Sequence, residues 1–137
     1  MNATELCLFL VVGYVATVCI EIPVLMWGLH PRHSRSFRMK AGFVLTAFTY
    51  PIVVLVLPAT IMPYVGRVAC IAIAETYAPL AEMLFFRYLV DQKLLTRPDR
   101  DAVTILLANV LSFVIGLVFL SEWLMAIVRW LARSLFG

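Results

Sequence analysis

Residues 41–66 read AGFVLTAFTYPIVVLVLPATIMPYVG, a stretch without a single charged side chain. A helix that crosses a bilayer needs about 20 mostly apolar residues, so this stretch predicts a membrane span. Residues 102–121 form a second uncharged stretch, and residues 6–31 carry one charge, Glu21. Because these stretches are continuously apolar and not alternating, they favour helices over strands.

Adding residues 68–86, which carry only Glu75 and Glu82, gives four predicted spans. Their expected bounds are about 7–29, 41–63, 67–90 and 102–120. We therefore expect a single all-α integral membrane domain, 1–137, built as a four-transmembrane-helix bundle of two helical hairpins. The first span has no Lys or Arg before it and is long, which favours a retained helix over a cleaved signal peptide.

The composition of the chain excludes the other broad classes of protein. Of its 137 residues, 64% are apolar and 14% are charged, against about 45–50% and about 25% in soluble domains. Three cysteines are too few for a disulfide scaffold, and a chain this apolar is not disordered. The basic residues lie at membrane edges without a basic aromatic face, so no nucleic-acid partner is expected.

The distribution of Lys and Arg predicts the orientation in the membrane. The predicted loop 30–40 carries four basic residues and the loop 91–101 carries three, whereas the opposite side carries Arg67, Arg129 and Arg133. Cytoplasmic loops are enriched in Lys and Arg, so both loops are expected in the cytoplasm and both termini outside a cell (inner) membrane.

Residues 121–136 differ from the four spans. Glu122, Arg129 and Arg133 share one helical face, and apolar residues that include Trp123 and Trp130 fill the other. This pattern predicts an amphipathic helix lying at the membrane interface. The alternative is that the fourth span continues, tilted, to the end of the chain.

A layer of polar residues crosses the predicted spans at one depth. Counted from the loop ends, Glu21, Thr49, Glu82 and Asn109 all lie about 11–12 Å into the membrane, at 1.5 Å per residue. Neighbouring polar positions are Thr46, Ser112 and, two turns above Glu82, Glu75. An ionisable residue inside a membrane is a functional-site candidate, because burying it there is costly. The predicted ion- or proton-binding residues are Glu21, Glu75, Glu82, Thr49, Asn109 and Ser112.

Two other features lie near this layer. Ala108, Ser112 and Gly116 repeat at intervals of four and predict a stripe for close helix packing, within the chain or with a partner. Pro23, Pro51 and Pro79 lie inside spans, and each leaves one backbone carbonyl without its helical partner near the carboxylates. Hydrogen bonding between helices remains the alternative role for the polar residues, and pairing with Arg87 the alternative for Glu21.

Motifs for cofactors and for covalent catalysis do not occur in the sequence. There is no glycine-rich phosphate loop, no nucleophile with a matching base and no cysteine pair at metal-ligand spacing, so no cofactor, metal site or catalytic residue is predicted. His30 and His33 fall in the basic loop and are expected to be solvated.

Three functions remain open on this basis. The first is a small cation- or proton-coupled transporter or channel, acting as a homo-oligomer because four spans are few for such a machine. The second is a non-catalytic accessory subunit that pairs with other membrane subunits. The third is an intramembrane enzyme that uses carboxylates as acid and base. In each case the lipid bilayer is the expected surrounding.

Overall fold

The computed structural model describes residues 3–90 and 98–136, and its described residues are helical apart from short turns. The α-helices, in chain order, are α1 Ala3–Gly28, α2 Arg35–Pro51, α3 Leu57–Thr60, α4 Met62–Leu89, α5 Pro98–Ile115 and α6 Ser121–Phe136. Wider π-helical turns follow two of them, Ile52–Val56 after α2 and Gly116–Leu120 after α5. The described residues contain no β-strand.

Four helical segments are long and apolar enough to cross a membrane: Ala3–Gly28, Arg35–Thr60, Met62–Leu89 and Arg100–Val118. The prediction of an all-helical chain with four such helices is therefore confirmed. The physical reason is that an uninterrupted apolar stretch can satisfy its backbone donors and acceptors without water only by bonding within itself, as a helix does.

The first loop is shorter than the sequence predicted. Ser34 caps α2, accepting a hydrogen bond from the Phe37 amide at 3.1 Å, so Arg35, Arg38 and Lys40 lie in the opening turns of a helix. The prediction of a loop over 30–40 is wrong in that part, because a serine cap begins a helix even in a basic segment. Most of the predicted loop 91–101 lies outside the described residues, and Arg100 belongs to α5.

The four long helices form a bundle in which α1 and α4 lie on one diagonal. Each of them packs against both α2 and α5, and α1 also packs against α6. We call the end where α1 ends and α2 begins the loop side, and the opposite end the far side. The main apolar core lies at the loop side and comprises Leu25, Leu29, Ala41, Leu45, Phe86, Val90, Ile105 and Ala108.

The far side is packed less densely. Its core consists of Leu57, Cys70 and Ala74, and residues 62–69 are all exposed. Gly66 interrupts α4 there with φ 78° and ψ 167°, a conformation that is essentially restricted to glycine. The regular part of α4 thus begins after Gly66.

Candidate functional site

Glu21 lies in the middle of the bundle, 3% exposed. Its Oε2 accepts a hydrogen bond from the Thr46 hydroxyl of α2 at 2.6 Å. Its Oε1 accepts one from the Ser112 hydroxyl of α5 at 2.8 Å. A carboxyl group held by two neighbouring helices is therefore fixed in position, with a donor on each oxygen.

Glu82 repeats this arrangement on the opposite diagonal corner. It is 2% exposed, its Oε1 accepts from the Thr49 hydroxyl at 2.6 Å, and its Oε2 accepts from the Asn109 amide at 2.8 Å. The same two helices, α2 and α5, thus supply the donors for both carboxyl groups. The structure brings the four residues of the predicted layer, Glu21, Thr49, Glu82 and Asn109, together with Thr46 and Ser112.

Each threonine hydroxyl in this cluster has one proton and lies between two acceptors. The Thr46 Oγ1 is 2.8 Å from the Gly42 carbonyl as well as close to Glu21. Thr49 Oγ1 is likewise 3.1 Å from the Leu45 carbonyl. When the glutamate is ionised, the hydroxyl donates to it. When the glutamate is protonated, it donates to the hydroxyl, which then donates to the carbonyl. Both protonation states are thus hydrogen-bonded.

A cavity of about 140 Å³ opens beside the two carboxyl groups. Its wall includes Glu21, Glu82 and Glu75, the last being half-buried and two turns along α4 towards the far side. Among the described residues that line it, none is Lys, Arg or His. The cavity is large enough for several water molecules.

The described residues contain no three His, Cys, Asp or Glu side chains grouped closely enough to hold a metal ion. Glu75 therefore shares a cavity with Glu21 and Glu82 without forming a common ligand set with them. Arg87, the alternative partner considered for Glu21, is exposed near the loop-side end of α4. The hydrogen bonds of Glu21 go instead to hydroxyl groups.

The three residues of the small-residue stripe of α5 lie in different surroundings. Ala108 is 1% exposed and belongs to the loop-side core, and Ser112 serves Glu21. Gly116 has no neighbouring atom within 4 Å of where a Cβ would stand. It borders an apolar groove of about 470 Å³ between α1, α5 and α6, which shares Thr17, Tyr50 and other residues with the polar cavity.

His33 is the residue that the sequence analysis misplaced. It is 3% exposed, and its Nε2 lies 3.1 Å from Oδ2 of the buried Asp101. Oδ1 of Asp101 accepts the amide proton of His30 at 2.8 Å. The expectation that His33 is solvated is therefore wrong. Its partner lies 68 residues away in the sequence, and the acidic residue directly before the predicted fourth span, Asp101, was the available signal.

Two arginines complete the loop-side end. Arg38 donates to the carbonyls of Met26 and His33, at 2.7 and 3.0 Å. Arg100 donates to the Gly28 carbonyl at 2.8 Å. Both satisfy carbonyl groups at the end of α1, where a helix has no internal donors left and attracts positive charge.

His30 is the other titratable group of this end. Desolvation, and then the charge of Arg32, lower its pKa from the ordinary value. The ring is thus favoured in its neutral form, in which Nδ1 can accept the Arg32 amide proton at 3.2 Å.

Helix α6 shows three different faces. Val128 is fully buried against the bundle, and α6 packs on α1. Trp123, Ile127 and Trp130 form an exposed apolar face, while Arg129 and Arg133 are exposed on another side of the helix.

Comparisons of the chain with family models, with curated proteins and with solved structures found no match.

Proposed function

We propose that the protein is a proton-coupled membrane transporter in which Glu21 and Glu82 bind and release the coupling protons. The observation that carries this proposal is the pair of glutamate–threonine–carbonyl chains in the centre of the bundle. Because each chain remains hydrogen-bonded with or without the carboxyl proton, loading and unloading leave no buried polar atom unpaired.

Glu75 would extend the proton pathway from Glu21 and Glu82 towards the far side. It is less buried than Glu21 and Glu82, and it borders the same cavity. Water in the cavity would connect it to both inner carboxyl groups, so we assign it the step between the cavity and the far-side solution. A proton is favoured over a metal cation as the coupling ion, because the described carboxyl groups do not converge into a ligand set.

The experiment is a proton-flux measurement in proteoliposomes under an imposed pH gradient. Wild type is compared with Glu21→Gln and Glu82→Gln, which keep the shape of the side chain and the hydrogen bonding of its protonated form but cannot exchange a proton. We expect flux in wild type and a loss of about a hundredfold or more in each variant, in line with the usual size of acid–base effects. Thr76→Val is the matched control, because that hydroxyl is exposed and bonds only to its own helix.

Two results would count against the transporter. Wild-type flux no greater than that of empty liposomes, over a panel of gradients and added cations, would favour the accessory subunit, and co-purifying membrane proteins would then identify its complex. Flux that persists in folded Glu21→Gln and Glu82→Gln would remove the carboxyl groups from the pathway.

The proposed orientation rests on the basic residues of the loop side, and aromatic anchors mark the two membrane interfaces. Exposed aromatic side chains mark both ends of the bundle, Trp27 and Tyr88 at the loop side and Tyr64 at the far side. Trp and Tyr concentrate at the two membrane interfaces. We propose a multi-pass protein of the inner membrane with the loop side in the cytoplasm and both termini outside.

A matched pair of cysteine variants tests this orientation. Ser36 and Thr60 are exposed and lie at the loop side and the far side. In intact cells, a membrane-impermeant maleimide should label Thr60→Cys and leave Ser36→Cys unlabelled until the cells are opened. The reverse labelling would invert the topology.

For α6 we propose a position in the plane of the membrane interface. Its buried, apolar and charged faces would then meet the bundle, the lipid and the headgroup region, respectively. A spin label at Ile127 should report a lipid environment and one at Arg133 a water-accessible one. Equal depth in lipid for both labels would favour the alternative, a continued fourth span.

A further inference from the structure

The bundle is packed more extensively on the loop side of the polar cavity than on its far side. Between Glu21 and the loop side lies the loop-side core, none of whose residues is more than 5% exposed. Towards the far side, α2 and α5 change into π-helical turns, and α4 is interrupted at Gly66. The far-side core contains only Leu57, Cys70 and Ala74 among the described residues.

At the loop side, one set of contacts joins residues that lie in or next to all four long helices. His33 follows α1 in the chain. The centroid of its ring lies 5.4 Å from that of Phe37 in α2 and 5.5 Å from that of Phe86 in α4. Its Nε2 lies 3.1 Å from Oδ2 of Asp101 in α5. Asp101 holds the loop with both oxygens, through His30 and His33. We call His30, His33 and Asp101, with Arg38 and Arg100 on the end of α1, the Asp101 junction.

The loop-side core and the Asp101 junction are held together by different kinds of interaction. The loop-side core is closed by apolar packing, which has no directional preference. The junction depends on a few directional hydrogen bonds centred on the buried His33 and Asp101. A set of bonds that is either made or broken fits an element with two discrete states.

We propose that this structure is the far-side-open state of the protein and that the Asp101 junction is its loop-side gate. The inference rests on the proposed transport function, since transport requires that the cavity open alternately to the two sides. Release towards the loop side then requires α1 and the 29–34 loop to separate from the start of α5.

The contact between Gly28 and Thr104 provides a way to lock this gate. A Cβ atom at Gly28 would stand 3.1 Å from the Cβ of Thr104, against about 3.5–4.5 Å across a disulfide. A separation of a few tenths of an ångström would thus allow Gly28→Cys and Thr104→Cys to form a bond. Thr104 lies one turn from Asp101, so this bond would hold the end of α1 to α5 at the junction.

The first test compares flux with the disulfide formed and reduced. The double variant is made with Cys7, Cys19 and Cys70 replaced by alanine, and its oxidation is checked by mass. We expect flux to fall about tenfold or more on oxidation, because opening of the gate is needed in every cycle, and to return on reduction. The two single cysteine variants should not respond. Undiminished flux in the fully oxidised protein would overturn the proposal.

A second measurement tests the gate without using transport. Ala108→Cys places a thiol in the loop-side core, 1% exposed in this state. In the cysteine-free protein, Asp101→Ala should raise the labelling of that thiol from the loop side several-fold, while Thr76→Val should not. Unchanged labelling in a folded Asp101→Ala variant would overturn the gate, whatever the flux. Raised labelling in a protein without flux would retain the gate and reject proton transport.

Discussion

The first hairpin, α1 and α2, and the second hairpin, α4 and α5, use the same arrangement of polar groups. Each places a glutamate on its first helix, Glu21 or Glu82, and a donor pair three residues apart on its second, Thr46 with Thr49 or Asn109 with Ser112. The first donor of each pair bonds within its hairpin and the second bonds across to the other hairpin.

A π-helical turn follows the donor pair in both hairpins, at Ile52–Val56 and at Gly116–Leu120. Such turns are rare and occur preferentially at functional sites. We call this correspondence in donors and π-helical turns the pseudo-symmetry of the two hairpins. The two hairpins are thus similar in where their hydrogen-bond donors lie and not in their amino-acid sequences.

The hairpins differ around this common centre. Glu75 adds a third carboxyl group to the second hairpin, at the cavity wall. The apolar groove is lined by residues of α1, α5 and α6 and by Tyr50 of α2, and its lining includes Ser112, a donor to Glu21, but not Thr49. Each inner carboxyl group thus accepts two hydrogen bonds, from two hydroxyl groups at Glu21 and from a hydroxyl and an amide at Glu82. Their surroundings differ as well, and the following predictions test how far the two sites behave alike.

The largest expected effect is on transport. Glu21→Asp and Glu82→Asp withdraw each carboxyl group by one methylene, about 1.5 Å, which breaks at least one of its two short bonds. We expect proton flux to fall about a hundredfold in both variants, since misplacing a reacting group by about 1 Å has that effect. Glu75→Asp, whose side chain lies at the cavity wall, should lose much less. A large loss in one hairpin and none in the other would show that only one carboxyl group carries protons.

The second effect is on stability. Thr46→Val and Thr49→Val keep the side-chain shape but remove a donor from a buried carboxyl group, which should lower the unfolding free energy by about 1–3 kcal/mol. Unfolding in mixed micelles, followed by circular dichroism, measures this. Ser112→Ala should behave like Thr49→Val, because both remove a bond between the hairpins. A difference of several kcal/mol between these two variants would contradict the pseudo-symmetry.

The sequence predicted much of this centre because membrane burial is so costly for polar groups. Counting residues from the predicted loop ends placed Glu21, Thr49, Glu82 and Asn109 at one depth. In the structure Thr49 and Asn109 donate to Glu82, whereas Glu21 accepts from the neighbouring positions Thr46 and Ser112. Depth counting works because a helix rises by a constant 1.5 Å per residue. Depth counting does not give the rotation of each helix about its axis. The sequence therefore could not show which donor forms a hydrogen bond with which carboxyl group.

The loop side was less accessible to sequence reasoning. The burial of His33 depends on Asp101, 68 residues away, and on aromatic rings from two other helices. No local pattern encodes such a contact. The start of α2 was predicted too late for a different reason, because the basic residues that mark a membrane edge also continue a helix readily.

A third prediction concerns packing within the first hairpin. A Cβ atom at Gly42 would stand 2.7 Å from Cγ1 of Ile22, a branched and stiff side chain. Gly42→Ala should therefore lower the unfolding free energy by about 1–3 kcal/mol, as overpacked cores do. Adding Ile22→Ala removes the obstructing atom, so the double variant should be more stable than the sum of the two single changes predicts. Strict additivity would mean that α1 and α2 do not meet at this point.

The smallest effect is expected at Gly116 in the second hairpin. Apart from the backbone of its own helix, no described atom lies within 4 Å of a Cβ at this position, and its φ is not positive. Gly116→Ala should therefore raise the unfolding free energy by about 0.4–1 kcal/mol, because it restricts the unfolded chain without a clash. The opposite sign from Gly42→Ala would show that the small residue of the second hairpin borders an open groove and not a helix. Destabilisation by Gly116→Ala in the purified oligomer, but not in the monomer, would instead place a second copy of the chain against that groove.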